Sequence, residues 1–197
     1  MLLRPIAPTQ LVRLAVVAVF AVSIGACTGQ KQTTKDATPV LSRPPATTFP
    51  MPPLNARAEM GWVLNDGSRA SVRDYEGKVL VLDFYATWCE PCRKSIPRLI
   101  ALQNTRGSKG LQVVGLNVGG PDDRIKVINF ARDLGIQYPL GFPDKAMFDQ
   151  FFSDNQTIPQ TFVFGRDGQL LKRFIGYDQT TEDELEKAID EAVKSKQ

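Results

Sequence analysis

The feature that most constrains this chain is a nearly continuous apolar run, Val79-Leu80-Val81-Leu82-Asp83-Phe84-Tyr85, which leads through Ala86-Thr87-Trp88 into Cys89-Glu90-Pro91-Cys92. A stretch that is apolar at odd and even positions alike suits a strand buried on both faces of a sheet. Pro91 is acceptable in a first helical turn, and Ile96, Leu99, Ile100 and Leu102 recur at helical spacing before Gly107, so a helix is expected to open at the cysteines. Unpaired N–H groups and the positive end of the helix dipole favour a thiolate there, and a second thiol one turn on can close a disulfide with it.

Composition narrows the rest. With 197 residues, 43% hydrophobic and 23% charged, the chain can build one globular core with uncommitted extensions. Lys+Arg 24 against Asp+Glu 21 leaves a net charge of +3, too small to suggest nucleic acid as a partner. Histidine is absent, which removes the commonest metal ligand and general base, so proton transfer falls to carboxylates, Lys, Tyr, thiols or water. Two thiols without His or a second CxxC cannot fill a tetrahedral zinc site. No metal and no cofactor are expected.

The N-terminus reads as a targeting segment. Arg4 and Arg13 precede an apolar run over residues 14–26, shorter than the roughly 20 residues a spanning helix needs but suited to a secretory signal. It ends Ile24-Gly25-Ala26-Cys27, which resembles a bacterial lipobox. That resemblance implies a signal peptide over 1–26, lipid on Cys27, and a chain exported to the extracytoplasmic face of the bacterial envelope; an uncleaved anchor and an ordinary cleaved signal are the alternatives. Residues 27–52, rich in Thr, Pro, Lys and Gln, have the composition of a solvated tether. With Cys27 lipidated, Cys89 and Cys92 are the remaining thiols, which excludes a structural disulfide framework.

The globular part is expected over 53–197. Half-apolar runs at 62–64 and 70–72 flank Asn65-Asp66-Gly67, a hairpin signal. A second buried strand is expected over 111–118, then a helix carrying Ile125, Ile128, Phe130, Ala131 and Leu134 on one stripe before Gly135. A short strand at 138–140, a helix at 145–152, and strands at 161–164 and 170–175 joined by Arg166-Asp167-Gly168 follow. An amphipathic helix over 181–193 closes the chain, with Glu184 in a capping-box position relative to Thr181. The sum is an α/β fold: a mixed central sheet flanked by helices, a leading β-hairpin and a central αβ insertion. Trp62, Tyr75, Phe148, Phe151 and Phe152 read as packing residues.

The buried strand, Trp88-Cys89-Glu90-Pro91-Cys92, and the later Thr157-Ile158-Pro159-Gln160-Thr161 before an apolar strand together resemble the thioredoxin fold. The hairpin, export signal and insertion resemble the TlpA/ResA-like extracytoplasmic thiol-disulfide oxidoreductases, over about residue 50 to the end. The resemblance implies that Pro159 is cis and packs against the disulfide, leaving the backbone of Ile158 free to pair with a substrate strand. It implies that Cys89, exposed at the helix start, is the attacking nucleophile and Cys92 the resolving thiol. Asp83 stands where thioredoxins carry a buried acid and many TlpA/ResA-like members carry Asn; a carboxyl beneath the thiols would have a raised pKa and serve as general acid/base for Cys92, whereas a merely local role would have it cap nearby backbone. Glu90 matches the family motif and either raises the Cys89 pKa by charge repulsion or sits solvated in the first turn. Trp88 either shields the disulfide and contacts partner chains or packs structurally.

Three functions remain open at this level. The first is a lipid-anchored reductase of protein disulfides, apocytochrome c being the example the resemblance implies, re-reduced by an integral-membrane electron donor. The second is a disulfide-forming oxidase of the same fold, and the third a non-catalytic envelope lipoprotein. A reduction potential of about −250 mV or below separates the first from an oxidase near −120 mV.

Overall fold

Alternation along Val79–Tyr85 sorts the core into two halves. In this computed structural model, which describes residues 60–195, every residue of that strand is buried, with odd and even positions serving opposite faces of the sheet. Val79, Val81 and Tyr85 pack with Cys92, Ile96, Leu99, Val127, Phe130, Leu185 and Ile189. Leu80, Leu82 and Phe84 pack with Met147, Phe151, Phe152, Phe162 and Phe164.

The elements run β1 (Trp62–Leu64), β2 (Arg69–Ala70), β3 (Val79–Tyr85), α1 (Glu90–Arg106), β4 (Leu111–Asn117), α2 (Pro121–Arg124), α3 (Val127–Leu134), β5 (Leu140–Pro143), α4 (Lys145–Phe151), β6 (Gln160–Phe164), β7 (Leu170–Ile175) and α5 (Gln179–Lys194). They build one seven-stranded mixed sheet in the order β2-β1-β5-β4-β3-β6-β7. β3 pairs parallel with β4 and antiparallel with β6, so its two neighbours flank it at the centre of the sheet. Helices α1, α3 and α5 cover one face and α4 the other. Hairpin, mixed sheet and insertion are thus as expected, with the Asn65-Asp66-Gly67 turn held by Gly67 at φ 87° and by Asp66 Oδ1, which accepts from the Ser68 N–H at 2.9 Å.

Four local expectations shift. The second hairpin strand is Arg69–Ala70 rather than 70–72, because Val72–Tyr75 coils into a 3-10 turn in which Asp74 Oδ2 accepts from the Ser71 N–H and hydroxyl. The strand expected at 138–140 lies at Leu140–Pro143, pairing with β1 on one side and β4 on the other. The stripe assigned to Ile125 and Ile128 faces solvent, with Ile125 81% and Ile128 71% exposed. The chain breaks at Ile125 between α2 and α3, and Val127 and Phe130 carry the buried face instead. Finally, α5 begins at Gln179: its N-cap is Asp178, whose Oδ1 accepts from the Thr181 N–H at 2.7 Å, while Glu184 ion-pairs with Lys172. Asp is the stronger cap, and it took the role from Thr181.

Trp62 is fully buried and stacks on Tyr75 at 5.8 Å. Phe151 and Phe152 enclose Phe84 together with Phe162, and Phe148 stacks on Phe152, so these aromatics pack as expected. The signal segment 1–26 with Cys27, and the tether 27–52, lie outside the described residues. Among the described residues, no helix is long and apolar enough to cross a membrane.

Candidate functional site

The two cysteines are joined. Cys89 and Cys92 form a disulfide with S–S 2.03 Å and Cα atoms 5.3 Å apart. Cys89 is the N-cap of α1, in extended conformation, and its Sγ accepts from the Cys92 N–H at 3.2 Å. Sulfur here does what a Ser or Asp oxygen does at other helix starts, satisfying an orphan donor at the third helical position. The same N–H would stabilise a Cys89 thiolate. Contrary to the expected exposure, Cys89 is only 4% exposed: the backbone of Ile158 leans over it, with the Ile158 carbonyl oxygen 3.9 Å from Sγ. Cys92 is fully buried.

The Ile158–Pro159 peptide is cis, as the resemblance implied. Pro159 is buried and its carbonyl accepts from the Gly176 N–H at 2.8 Å, fixing the loop in front of β6. Pro91 sits in the first turn of α1, solvent-facing. Trp88 is 65% exposed, so most of its ring faces solvent next to Cys89 rather than packing into the core. Glu90 opens α1 as an exposed side chain, 3.8 Å from Lys94 one turn on, so both its solvent contact and a counter-cation weaken any push on the sulfurs.

Asp83 is the electrostatic centre of the site. It lies mid-strand on β3, on the same face as Val81 and Tyr85 and therefore on the face against which Cys92 packs. It is fully buried; the Thr161 hydroxyl donates to Oδ1 at 3.0 Å, and Oδ2 has no hydrogen-bond partner. Burial raises its pKa to about 7, against the lowering effect of the Thr161 bond. Such a group exchanges a proton at neutral pH.

Several neighbours escaped the sequence reading. Thr161 faces Asp83 because β3 and β6 pair Asp83 with Thr161, a register no linear pattern reveals. Asp123 is buried at the start of the insertion and accepts from the Thr87 N–H at 2.8 Å, from the Thr87 hydroxyl, and from Asn117 Nδ2 at 2.7 Å. Burial would raise its pKa, but these donors together hold it below the ordinary value. It thereby ties the loop carrying Trp88 and Cys89 to α2. Arg93 donates to the Thr87 carbonyl at 3.1 Å and lies 4.9 Å over the Phe130 ring, and Phe130 stacks on Tyr85. Tyr85 and Tyr138 are buried, and both are held above their ordinary pKa, by burial first and then by the charge of Asp83. Among the described residues, no group of three or more Cys, Asp or Glu could hold a metal ion.

Residues 44–189 match the Redoxin family model. Thiol-disulfide oxidoreductase ResA of Bacillus subtilis (strain 168) is 33% identical over 118 residues, 58% of this chain and 64% of that protein. The match therefore spans less than two thirds of that relative. ResA of Geobacillus kaustophilus is 30% identical over 126 residues, 62% of this chain and 69% of that protein. Among solved structures, a thiol:disulfide interchange protein of the thioredoxin family from Chlorobium tepidum TLS aligns with TM-score 0.57 and 28% identity, covering 68% of this chain and 92% of that one. The fold is thioredoxin-like.

Proposed function

The chain belongs to the Redoxin family, and from that premise we propose that it is a thiol-disulfide oxidoreductase that reduces protein disulfides outside the cytoplasm. The observation that carries this reading is a CxxC disulfide at a helix start, packed against the same face of the sheet as the buried Asp83 carboxyl, which burial pushes up to about 7. In the dithiol form, the Cys89 thiolate attacks a substrate sulfur, and the first substrate thiolate leaves. Cys92 loses its proton to Asp83 and attacks Cys89 Sγ, expelling the second substrate sulfur as a thiolate, which takes up a proton from Asp83 or solvent, and closing the Cys89–Cys92 bond. The substrate gains two electrons from the protein and two protons, one of them from solvent; the protein, now oxidised, must be recharged. An integral-membrane electron donor is the partner this requires.

Ile158 brings its backbone carbonyl within 3.9 Å of Cys89 Sγ, suited to pairing with an extended substrate segment, and the exposed Trp88 offers it an apolar face. Lipid on Cys27 and the 27–52 tether would hold the domain at the envelope within reach of both donor and substrate. Apocytochrome c is the substrate we favour, following the ResA-like resemblance. Glu90 adds negative charge beside the thiolate rather than stabilising it, a small lean toward reduction because solvent and Lys94 screen that charge.

The test is to trap partners with a Cys92→Ala variant and to measure the couple in the intact chain. Mixed disulfides with envelope proteins through Cys89, together with a potential near about −250 mV or lower, are the expected result. A potential near about −120 mV would overturn the reductase assignment in favour of disulfide formation.

A further inference from the structure

Resting on the dithiol reading above, we propose that Thr161 is the positioning residue for Asp83, its hydroxyl committing one carboxyl oxygen so that the other is left to carry the proton of Cys92. The geometry is specific. The Thr161 hydroxyl donates to Asp83 Oδ1 at 3.0 Å, and Oδ2 is a buried oxygen with no hydrogen-bond partner. A carboxyl buried in an apolar core with both oxygens bare could rotate and would hold its proton to high pH; one with donors on both oxygens would be held ionised at neutral pH and would take up a proton poorly. A single donor leaves one oxygen fixed and one available.

Thr161 also stands at a boundary. It lines a narrow cleft with Ser95, Arg98, Pro159, Tyr177 and Glu182, with room for roughly one water molecule. Its Oγ1 faces Asp83, while the residue also lines this cleft beside the cis-proline. The titratable and charged groups around Asp83 are Cys92 from α1, Tyr85 from β3 and Tyr138 from the segment before β5, with Asp123 of α2 acting on Tyr85. Arg98 of α1 and Glu182 of α5 pair with each other across the cleft. None of them supplies Asp83 with a hydrogen bond. The Thr161 contact lowers the Asp83 pKa against the effect of burial, so its loss should move the titration upward.

The test uses the reduced intact chain and the aromatic disulfide 5,5′-dithiobis(2-nitrobenzoate). The first chromophoric thiolate reports attack by Cys89; the second reports resolution by Cys92. At saturating reagent the second phase becomes independent of concentration, and its pH midpoint follows Asp83. In Thr161→Val, which keeps the β-branched shape, that midpoint should rise by about one pH unit and the second phase should slow several-fold at pH 7, with the first phase unchanged. Thr161→Ser should restore the wild-type midpoint. The carboxyl infrared band that disappears in Asp83→Asn should titrate with the same displacement, a readout independent of turnover. A Thr161→Val profile coinciding with wild type, or a Ser variant that behaves like Val, overturns the proposal. A wild-type chain that never releases the first thiolate would instead sink the dithiol reading on which it rests.

Discussion

At the scale of single residues, two buried carboxylates near the disulfide are driven in opposite directions by the number of donors each has. Asp123 has three donors, the Thr87 N–H, the Thr87 hydroxyl and Asn117, and stays ionised below its ordinary pKa despite burial. Asp83 has one side-chain donor and rises to about 7. One is an anion that organises a loop, and the other has the raised pKa that the proposed proton transfer to and from Cys92 requires. The sign of the stability effect follows. Because the folded pKa of Asp83 lies above its ordinary 3.8, the folded state holds the proton more tightly. Its contribution is fully present below about pH 4 and is lost as pH rises through about 7, with a slope of up to ~1.4 kcal/mol per pH unit. Chemical denaturation of the oxidised protein from pH 5 to 8 should show this decline, and Asp83→Asn should flatten it; equal slopes in the two proteins would exclude a titrating Asp83. The sequence marked Asp83 by its place in an apolar run, but its donor count depends on Thr161, a residue 78 positions away.

At the scale of elements, strand β3 and helix α1 follow from local patterning, since a uniformly apolar run and a Pro-containing first turn each have few alternatives. Elements with weaker local signals moved. The α5 start shows why: Thr181 and Glu184 satisfy a capping pattern, yet Asp178 three residues earlier captures the Thr181 N–H, and the helix gains its first turn. Asp178→Ala should therefore cost ~1 kcal/mol, whereas Thr181→Ala should cost less than half as much; thermal melts of both variants decide it, and the reverse ranking would restore the cap to Thr181. In the insertion, the helical stripe slipped because the buried Asp123 draws α2 against the cysteine loop, and the following break resets the helical phase so that Ile125 and Ile128 point outward. The close approach at Gly115 has a similar origin. A Cβ there would lie 2.5 Å from Leu140 Cδ2 and 3.2 Å from Tyr85 Cε1, so this glycine lets the insertion's strand and the aromatic ring beside Asp83 close on β4.

At the scale of the whole molecule, the insertion joins parts that are remote in sequence. Strand β5 lies between the hairpin and β4, so β1 reaches the central sheet only through it. Asp144 fastens the joint, its Oδ2 accepting from the Gly61 N–H at 2.9 Å and pairing with Arg69 while its Oδ1 caps α4 through the Met147 N–H. Asp123 is the corresponding fastener at the disulfide. Asp123→Ala strips acceptors from the Thr87 N–H and from Asn117, and should cost on the order of 2–3 kcal/mol in denaturant titrations while slowing attack by Cys89, because the loop before the nucleophile loses its anchor. A stable variant with unaltered Cys89 reactivity would show that the insertion is only an appendage. On the far side, Arg98 and Arg106 of α1 pair with Glu186 of α5, holding the cysteine helix against the last one.

The residues themselves determined the chemistry: two sulfurs after a buried strand at a helix start, a distal Ile-Pro, and an acid where the strand should be apolar, all consequences of short-range periodicity and side-chain type. Only tertiary structure decided what that acid can do. Strand register placed Thr161 opposite Asp83 and left one oxygen bare, and chain folding brought the Ile158 carbonyl to Cys89 and Asp123 beneath Thr87. Hydrogen-bond partners across a sheet and the dielectric around a carboxyl are set by residues far along the chain, so no local pattern encodes them.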